Sequence, residues 1–477
     1  MKPINIRIIA LLSVVLTFIT AFFLIHELRK QQDVETAEPL VPANKVHLTF
    51  AYNGGIPKTR LAEIIENYNR TNPDKTTVEL IDTPKEDYAR LMNMHMIDGD
   101  GPDLLSVDED WKTTYFLKNW LADLTAAAKS PELPAYDQWA IDYGSFNSQI
   151  FSVPHAFGTT RLIYNKSLFV TAGLDPEVPP ATLDELAKNA RQISQSQLGY
   201  QRYGFAWPLG DKEAGFINSM EVPLTYSGLA IFNPDTGRYD LTGYGKWLDA
   251  MNGLEKTESL LPGGLSLGYQ SALAQFAKGN VGMMIVTNSD VYELEHSLDV
   301  QFDWGAALPP VLDAKQKDKY PLILKPEPLI AVNNASEHKE AAIRFWTYLE
   351  SSETLQKLYE TNLLLPYSAE IRKASQPNST AVSHIRSFLP TESEAFYPPA
   401  PVLLNNKLNP NQSLFLDIDW SNRLQAYSEA VSGRFTVAKA LQLETDRMNL
   451  LLQEEVQDGH IQLSSFLRPV FHSPFGN

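Results

Sequence analysis

Three carboxylates and an indole stand together in the segment Asp108-Glu109-Asp110-Trp111, directly after the apolar run Leu104–Val107. Carboxylate oxygens accept hydrogen bonds from hydroxyl groups, and an aromatic face covers the apolar C–H groups of a sugar ring. The segment therefore predicts a loop that binds a polyhydroxylated ligand through all four side chains. A solvated acidic loop without a ligand is the alternative that the same residues allow.

The same carboxylates raise the question of catalysis. A glycoside hydrolase needs two carboxyl groups roughly 5–10 Å apart, one of them with a raised pKa. Adjacent side chains do not in general face each other across a sugar, so a distant partner such as Glu327 would be required. Nothing in the sequence identifies that partner. We therefore expect no enzyme and no catalytic residues, and an anchored glycoside hydrolase stays an alternative.

The amino-acid composition and motifs exclude several other kinds of functional site. The 477 residues include no cysteine, which excludes disulfides, thiolate metal ligands and thiol catalysis. The nine histidines are scattered, and neither a phosphate-binding glycine loop nor a nucleophile elbow occurs. The formal charge of -17 offers no basic surface for nucleic-acid phosphates. We expect no cofactor, no metal and no nucleic-acid partner.

The chain begins with an uncharged apolar run over residues 8–25, flanked by basic residues on both sides. Its length is close to that of a membrane-spanning helix. The run ends in the bulky sequence FFLI, and the small pair Thr20-Ala21 offers only a weak cleavage site. We predict a signal or anchor helix over residues 1–30, favour an uncleaved anchor over a cleaved signal, and expect a polar tether over residues 31–45.

Hydrophobic periodicity beyond the tether predicts alternating strands and helices. Strands are expected over 46–52, 77–81 and 104–107, with helices between them, one ending before Pro73 and one over 85–97. This order implies parallel strands joined by crossover helices. Further predicted elements are a helix with a capping box at Thr182, a strand over Val281–Val286, a helix capped by Ser336, and a helix opened by Thr436. The tail after Gly459 has no assigned element.

Four motifs occur in order along residues 46–455. They are GPDLL with WLADL (101–105, 120–124), VP with LIYNKSLF, AGL and PPAT (153–182), FAKGNVGMM with LPP (276–284, 308–310), and SGR with AL (432–441). In this order and spacing they resemble the extracellular solute-binding proteins of ABC sugar importers, the maltose-binding-protein-like family 1.

The resemblance implies a two-lobed α/β fold of the periplasmic-binding-protein type, with a hinge and a sugar or oligosaccharide bound between the lobes. Lobe 1 would take residues 46–156 and 330–375, and lobe 2 residues 157–329 and 376–477. The implied partners are ABC permease subunits at the extracytoplasmic face of the bacterial cell membrane, and we expect a monomer. A ligand-sensing subunit for a membrane kinase would have the same fold and stays open.

The resemblance also implies ligand contacts. An acidic contact of the family falls at about Asp110, and a stacking tryptophan falls on Trp420, 13 residues before Gly433. Trp207 matches an aromatic ligand loop, and a place in the core is the alternative for it and for Trp420. Asn53 ends the first strand, where members place a polar contact. The remaining expected contacts flank the hinge strands or replace a family tryptophan: His155, Thr159, Glu327 and Asn288.

Overall fold

A computed structural model describes residues 46–84, 87–196, 201–211, 213–374, 384–397, 400–401, 418–459, 461–467 and 472–473. Its strands are β1 His47–Ala51, β2 Thr77–Ile81, β3 Leu104–Val107, β4 Ser145–Phe146, β5 Gln149–Ile150, β6 Phe157–Gly158, β7 Thr160–Asn165, β8 Tyr203–Ala206, β9 Phe232–Asn233, β10 Arg238–Tyr239, β11 Val281–Thr287, β12 Trp304–Ala307, β13 Leu322–Pro326, β14 Leu329–Val332 and β15 Glu394–Phe396.

The α-helices alternate with these strands along most of the chain. They are α1 Lys58–Thr71, α2 Tyr88–Asp98, α3 Glu109–Leu117, α4 Gln138–Tyr143, α5 Lys166–Thr171, α6 Leu183–Gln195, α7 Val222–Tyr226, α8 Gly245–Lys256, α9 Tyr269–Ala277, α10 Ser289–Tyr292, α11 Lys339–Leu349, α12 Ser352–Glu360, α13 Ala369–Ala374, α14 Ile385–Phe388, α15 Ile418–Val431 and α16 Val437–Gln457. Two π-helical segments, Glu213–Glu221 and Glu293–Ser297, precede α7 and follow α10.

The first sheet has the strand order β14-β3-β1-β2. Strands β1, β2 and β3 are parallel, and β14 returns antiparallel beside β3. All four residues of β3 and of β14 are buried, as expected for strands that are covered on both faces. This sheet and its helices form the first lobe.

The second sheet has the order β12-β7-β11-β8. Strand β11 is parallel to β8 and antiparallel to β7. One face is covered by a core that includes Leu186 of α6, Trp247 of α8, Tyr427 of α15 and Leu441 of α16. Six of the seven residues of β11 are buried, so both faces of the strand are covered. This burial explains the near-continuous apolar sequence of β11. This sheet and its helices form the second lobe.

A smaller linking sheet, β15-β13-β6, lies where the chain passes between the lobes. Strand β13 pairs antiparallel with β6 and parallel with β15. The linking sheet is fastened to the second lobe by Arg161 of β7, whose Nη2 lies 2.7 Å from Oε1 of Glu394. Both side chains are almost fully buried, and Arg161 also donates to the backbone carbonyls of Ser387 and Leu389.

Most of the predicted elements are confirmed. The strands over 77–81 and 104–107 have the predicted bounds, and Thr182 forms the predicted capping box with Glu185. The prediction for Ser336 is wrong, because α11 begins after His338. The Ser336 hydroxyl donates to Oδ1 of Asp103 at 2.5 Å and accepts from the backbone N–H of His338, so it does not cap α11.

The predicted anchor over residues 8–25 and the tether lie outside the described residues. In the part of the chain that the structure describes, no helix combines the length and apolarity needed to cross a membrane. The sheets place residues 47–107 and 329–332 in one lobe and residues 160–165, 203–206 and 281–307 in the other. The lobe boundaries at 156, 330 and 375 stay predictions.

Candidate binding site

The carboxyl ends of β1 and β3 lie side by side at one edge of the first sheet, because Phe50 pairs in parallel with Leu104. Asn53 follows β1, and its backbone N–H donates to Oγ of Ser106 at 3.1 Å. Asp108 follows β3 as the half-buried N-cap residue of α3. In open α/β sheets, ligands bind beyond the carboxyl ends of the strands, so this edge is a candidate wall of a site.

Glu327 lies at the same edge, two residues before β14. Its carboxylate Oε2 accepts a hydrogen bond from the backbone N–H of Gly55 at 2.9 Å. A Cβ atom on Gly55 would come within 2.9 Å of Oε1 of Glu327, so glycine permits this close approach. The half-buried carboxylate of Glu327 thus joins the loop after β1 to the linking sheet.

The edge of the second sheet brings Asn288 and Thr159 together, because Thr287 of β11 pairs with Thr160 of β7. The N–H of Thr159 donates to Oδ1 of Asn288 at 2.7 Å, and the N–H of Asn288 donates to the carbonyl of Thr159 at 3.1 Å. The Thr159 hydroxyl donates to the carbonyl of Phe388 at 2.8 Å. Both side chains are buried and hold the edge of the second lobe in place.

The two edges converge on Gly158 in the linking strand β6. A Cβ atom at Gly158 would lie 3.7 Å from Oδ1 of Asn288 and 3.8 Å from Oε1 of Glu327, which is ordinary van der Waals contact. One amide oxygen from the second lobe and one carboxylate from the hinge approach therefore flank the same glycine. This arrangement offers hydrogen-bond acceptors to one small polar ligand from both sides.

A direct contact between the lobes joins Arg60 of α1 to Tyr292 of α10. The Nε–H of Arg60 donates to Oη of Tyr292 at 2.9 Å, and the guanidinium carbon lies 5.5 Å from the ring centre. Arg60 also pairs with Glu63 at 2.7 Å. The sequence analysis missed this pair. Its only local signal is that each residue follows a turn at a strand end, after Asn53-Gly54-Gly55 and after Asn288.

The acidic segment is not the loop that the sequence predicted, because helix α3 begins at Glu109. Carboxylates at a helix N-terminus are stabilised by the helix dipole, which explains why an acidic run continues into a helix here. Glu109 is exposed, pairs with Lys112 at 3.1 Å and contacts the hydroxyl of Tyr143. Trp111 is half-buried and packs on the outer core of the first lobe. The side chain of Asp110 lies outside the described part of the structure.

His155 is 2% exposed and lies in the core behind β6. Its Nδ1 lies 3.4 Å from Oε1 of Glu350, and neither side chain has a hydrogen-bond partner among the described residues. Burial lowers the pKa of His155 from 6.5 to about 4. Burial also raises the pKa of the Glu350 carboxyl well above its ordinary value, so the interior disfavours the charged form of both groups.

Trp207 is 3% exposed and packs inside the second lobe, edge-on to Phe216. Its indole N–H donates to the carbonyl of Gly215 at 2.5 Å. The ring also lines a pocket of about 340 Å³ whose wall includes Met251 and Leu260. Glu327, Asn288 and Gly158 do not line this pocket. Trp420 lies on α15, and its side chain is outside the described part of the structure. Ligand contact by either tryptophan stays a prediction.

Comparisons with known proteins give a family match and several distant relatives. The sequence profile described as bacterial extracellular solute-binding protein matches residues 54–356. A probable amino-acid ABC transporter periplasmic-binding protein of Sinorhizobium fredii is 22% identical over 281 residues, which cover 54% of this chain and 58% of the relative. A lactose-binding protein of Rhizobium radiobacter is 23% identical, over 38% of this chain and 42% of its own length. The chain spans about half the length of the curated relatives it matches.

Solved structures match a larger share of this chain than the curated relatives do. The GacH receptor of Streptomyces glaucescens, described unliganded and with acarbose, gives a TM-score of 0.70 at 17% identity, covering 86% of this chain and 99% of that one. Maltose-bound MalE3 of T. maritima gives 0.68 at 20% identity, covering 85% and 100%. A Thermotoga lettingae solute-binding protein bound with α-D-tagatose gives 0.68 at 20% identity, covering 86% and 100%. These similarities establish the two-lobed fold.

Proposed function

Because the chain belongs to the family of bacterial extracellular solute-binding proteins, we propose that it is the extracytoplasmic sugar-binding subunit of an ABC importer. The ligand is a sugar or oligosaccharide that lies between the two lobes. The protein itself performs no reaction on the ligand, and ABC permease subunits receive it. The solved relatives described with acarbose, maltose and tagatose support this class of ligand.

The observation that carries the proposal is the convergence of both lobe edges on Gly158. Glu327 and Asn288 come from different sheets, and their oxygens flank the same backbone position. The first-lobe edge adds the Asp108 carboxylate at the end of β3. Hydroxyl groups of a sugar are donors that match these acceptors, and charge-assisted hydrogen bonds are the stronger kind.

The acceptor-rich edges also favour a neutral ligand over a phosphate. An sn-glycerol-3-phosphate-binding protein of Yersinia pestis is 25% identical over 37% of this chain, so phosphorylated polyols belong in the comparison. Asp108 and Glu327 would repel a phosphate, and Arg60 is already paired with Glu63 and Tyr292. We therefore propose uncharged saccharides as the ligand class.

Hinge closure is the proposed mechanism. A sugar that bridges the two edges makes its full set of contacts only when the lobes are together, so it shifts the population toward the closed form. The chain passes between the lobes at the linking sheet, and the Arg60–Tyr292 contact joins the lobes at the cleft. The permease would then recognise the surface of the closed form.

We further propose that residues 8–25 anchor the protein at the outer face of the membrane. The run is uncharged and long enough to span a bilayer, and its ending disfavours cleavage. Comparing the mass of the membrane-extracted protein with the full-length mass tests this, since a loss of about 20–25 residues would show a cleaved signal instead.

The purified full chain, tested against a panel of mono- and oligosaccharides and sn-glycerol-3-phosphate, tests the function. We expect the melting temperature to rise with at least one uncharged sugar and not with the phosphate. Chromatography of the same samples should recover the sugar unchanged, whereas released monosaccharide would identify a hydrolase. Isolation of the chain from membranes with a kinase in place of permease subunits would favour the sensor alternative.

A further inference from the structure

The C-terminal residues after α16 begin on the second lobe. Ile461 is buried there, and Leu463 and Phe466 pack against the second-lobe core. The ring of Phe466 lies edge-on to Phe232, with 6.4 Å between the centroids. The described residues 461–467 thus belong to the second lobe.

His472 makes backbone contact with the linking sheet. The N–H of Phe396 in β15 donates to the carbonyl of His472 at 2.7 Å, and the N–H of His472 donates to the carbonyl of Phe396 at 3.2 Å. The pair forms an antiparallel bridge on the free side of β15. Because Glu394 at the start of β15 is held by Arg161, the backbone of His472 is fastened to the second-lobe side.

The imidazole of His472 contacts the first lobe instead. It stacks on Trp139 of α4, with centroids 4.7 Å apart and planes 4° from parallel. Its Nε2 lies 2.8 Å from Oη of Tyr367 and 3.2 Å from Oδ2 of Asp137. The Tyr367 hydroxyl donates to Asp137, so the Nε2–H of His472 donates to Tyr367.

Both partners of the imidazole are fixed within the first lobe. The segment after α4 is joined to the first sheet, because the Ser152 hydroxyl donates to the carbonyl of Ile330 in β14 at 2.7 Å. The N–H of Tyr367 donates to the carbonyl of His155 at 2.9 Å. The backbone of His472 therefore pairs with β15 and its side chain contacts the first lobe, beside the stacking of Phe396 on Trp139 with centroids 4.4 Å apart.

We propose that His472 is a positioning residue that couples the two lobes and holds the cleft nearly closed. The stacking on Trp139 and the hydrogen bond to Tyr367 form only while the first lobe and β15 keep this relative orientation. The Arg60–Tyr292 contact across the cleft shows the lobes together in the same arrangement. Opening the hinge breaks the imidazole contacts, so His472 adds to the stacking of Phe396 on Trp139 in limiting how often the free protein opens.

This coupling rests on the proposed function only in its effect on ligand affinity. A ligand that binds the closed form has an apparent dissociation constant that rises as the closed fraction falls. Loss of the imidazole should therefore weaken sugar binding, although His472 lies behind the hinge and not at the converging edges. The effect on lobe opening exists without any ligand and can be measured alone.

The absence of native cysteine permits one clean distance measurement. Spin labels on Glu66→Cys in α1 and Lys188→Cys in α6, both exposed, report the separation of the lobes in the full chain by pulsed electron resonance. We expect His472→Ala to shift the ligand-free distribution toward longer distances. His472→Phe keeps a stacking ring but loses the donor, so it should give an intermediate shift.

His95→Ala is the matched control, because His95 pairs with Asp100 at 3.0 Å within the first lobe and joins no second body. Its distance distribution should equal that of the unaltered chain. A chain that ends at residue 467 should open at least as far as His472→Ala. Unchanged distributions in both His472→Ala and the shortened chain would overturn the proposal, whether or not a sugar ligand is found. With a bound sugar, we expect affinity to fall by about three- to tenfold in His472→Ala.

Discussion

The two edges of the candidate site use their polar groups differently. At the first-lobe edge, Asp108 is half-buried at the end of β3, and half-buried Glu327 accepts from the backbone of Gly55. At the second-lobe edge, Asn288 and Thr159 are buried and bond to each other. The first edge therefore presents two half-buried carboxylates, whereas the polar groups of the second edge are buried and bonded to each other.

A residue at a strand end can therefore serve the site in two ways. A carboxylate that contacts the ligand should change affinity when it is altered, with little change in folding. A buried amide that holds a loop should change folding stability first. Substitutions of one residue of each kind separate these two roles.

The largest expected effect concerns His155. Its folded-state pKa of about 4 lies below the ordinary 6.5, so the unfolded chain takes up a proton first as the pH falls. The contribution of His155 to the free energy of unfolding should be fully present above pH 6.5 and fall toward pH 4, by up to about 3 kcal/mol. The raised pKa of Glu350 acts in the opposite sense, because its contribution is lost as pH rises.

Urea unfolding at several pH values isolates the histidine contribution. His155→Gln removes the titrating group, so between pH 6.5 and pH 4 the stability of the unaltered chain should fall relative to that of His155→Gln. His338→Gln, at an exposed position, is the control and should follow the unaltered chain. Parallel curves for His155→Gln and the unaltered chain would contradict the burial argument.

Asn288→Ala should cause the second largest loss in the free energy of unfolding. The N–H of Thr159 loses its acceptor inside the protein, and an unsatisfied buried donor costs about 1–3 kcal/mol. Chemical denaturation measures this loss of stability. Asn334→Ala, at a half-buried amide away from the site, should cost less. A stable Asn288→Ala protein with tenfold weaker binding would show that this edge acts mainly on the ligand.

Glu327→Gln should weaken sugar binding by about tenfold, because a charged acceptor becomes a neutral one at the ligand. The amide oxygen can still accept from Gly55, so the melting temperature should change little. Calorimetric titration with the sugar identified by the panel measures the affinity. Glu79→Gln, an exposed carboxylate beside His47, should bind normally. Normal binding by Glu327→Gln would remove the carboxylate from the site.

Tyr292→Phe should have the smallest effect. The change removes one hydrogen bond to Arg60 but keeps the ring beneath the guanidinium. We expect about a two- to threefold loss of affinity through fewer closed molecules. Stopped-flow kinetics should show this loss as faster sugar release. Slower release, or a larger loss than in Glu327→Gln, would mean that Tyr292 contacts the ligand directly.

Much of the fold was predictable from the sequence because local hydrophobic periodicity indicates helices and strands. The parallel strands of the first sheet, the capping box at Thr182 and the helix opened by Thr436 all occur as predicted. The order of the four motifs indicated the family, and the profile match confirms it. Polar residues after a strand were ambiguous, however, since a loop and a helix N-cap have the same composition. Asp108 shows the consequence, because α3 begins directly after it.

The candidate site was predictable only in part. Asn53, Asp108, Glu327 and Asn288 lie at strand ends, where the topology brings them to facing edges. His155 and Trp207 also lie near strand ends, but their side chains are buried, and burial depends on tertiary packing that one sequence does not show. The contact of Arg60 with Tyr292 joins residues 232 positions apart and has no local pattern.

Substitutions at Gly158 test whether a sugar binds beside Glu327 and Asn288. A Cβ atom fits there at ordinary contact distances, so Gly158→Ala should fold and bind within about threefold of the unaltered chain. Gly158→Leu would add three further carbon atoms beyond a Cβ atom that already contacts both oxygens. Calorimetric titration of both variants should show binding by the alanine variant and none by the folded leucine variant. Normal sugar binding by Gly158→Leu would contradict a ligand at this position.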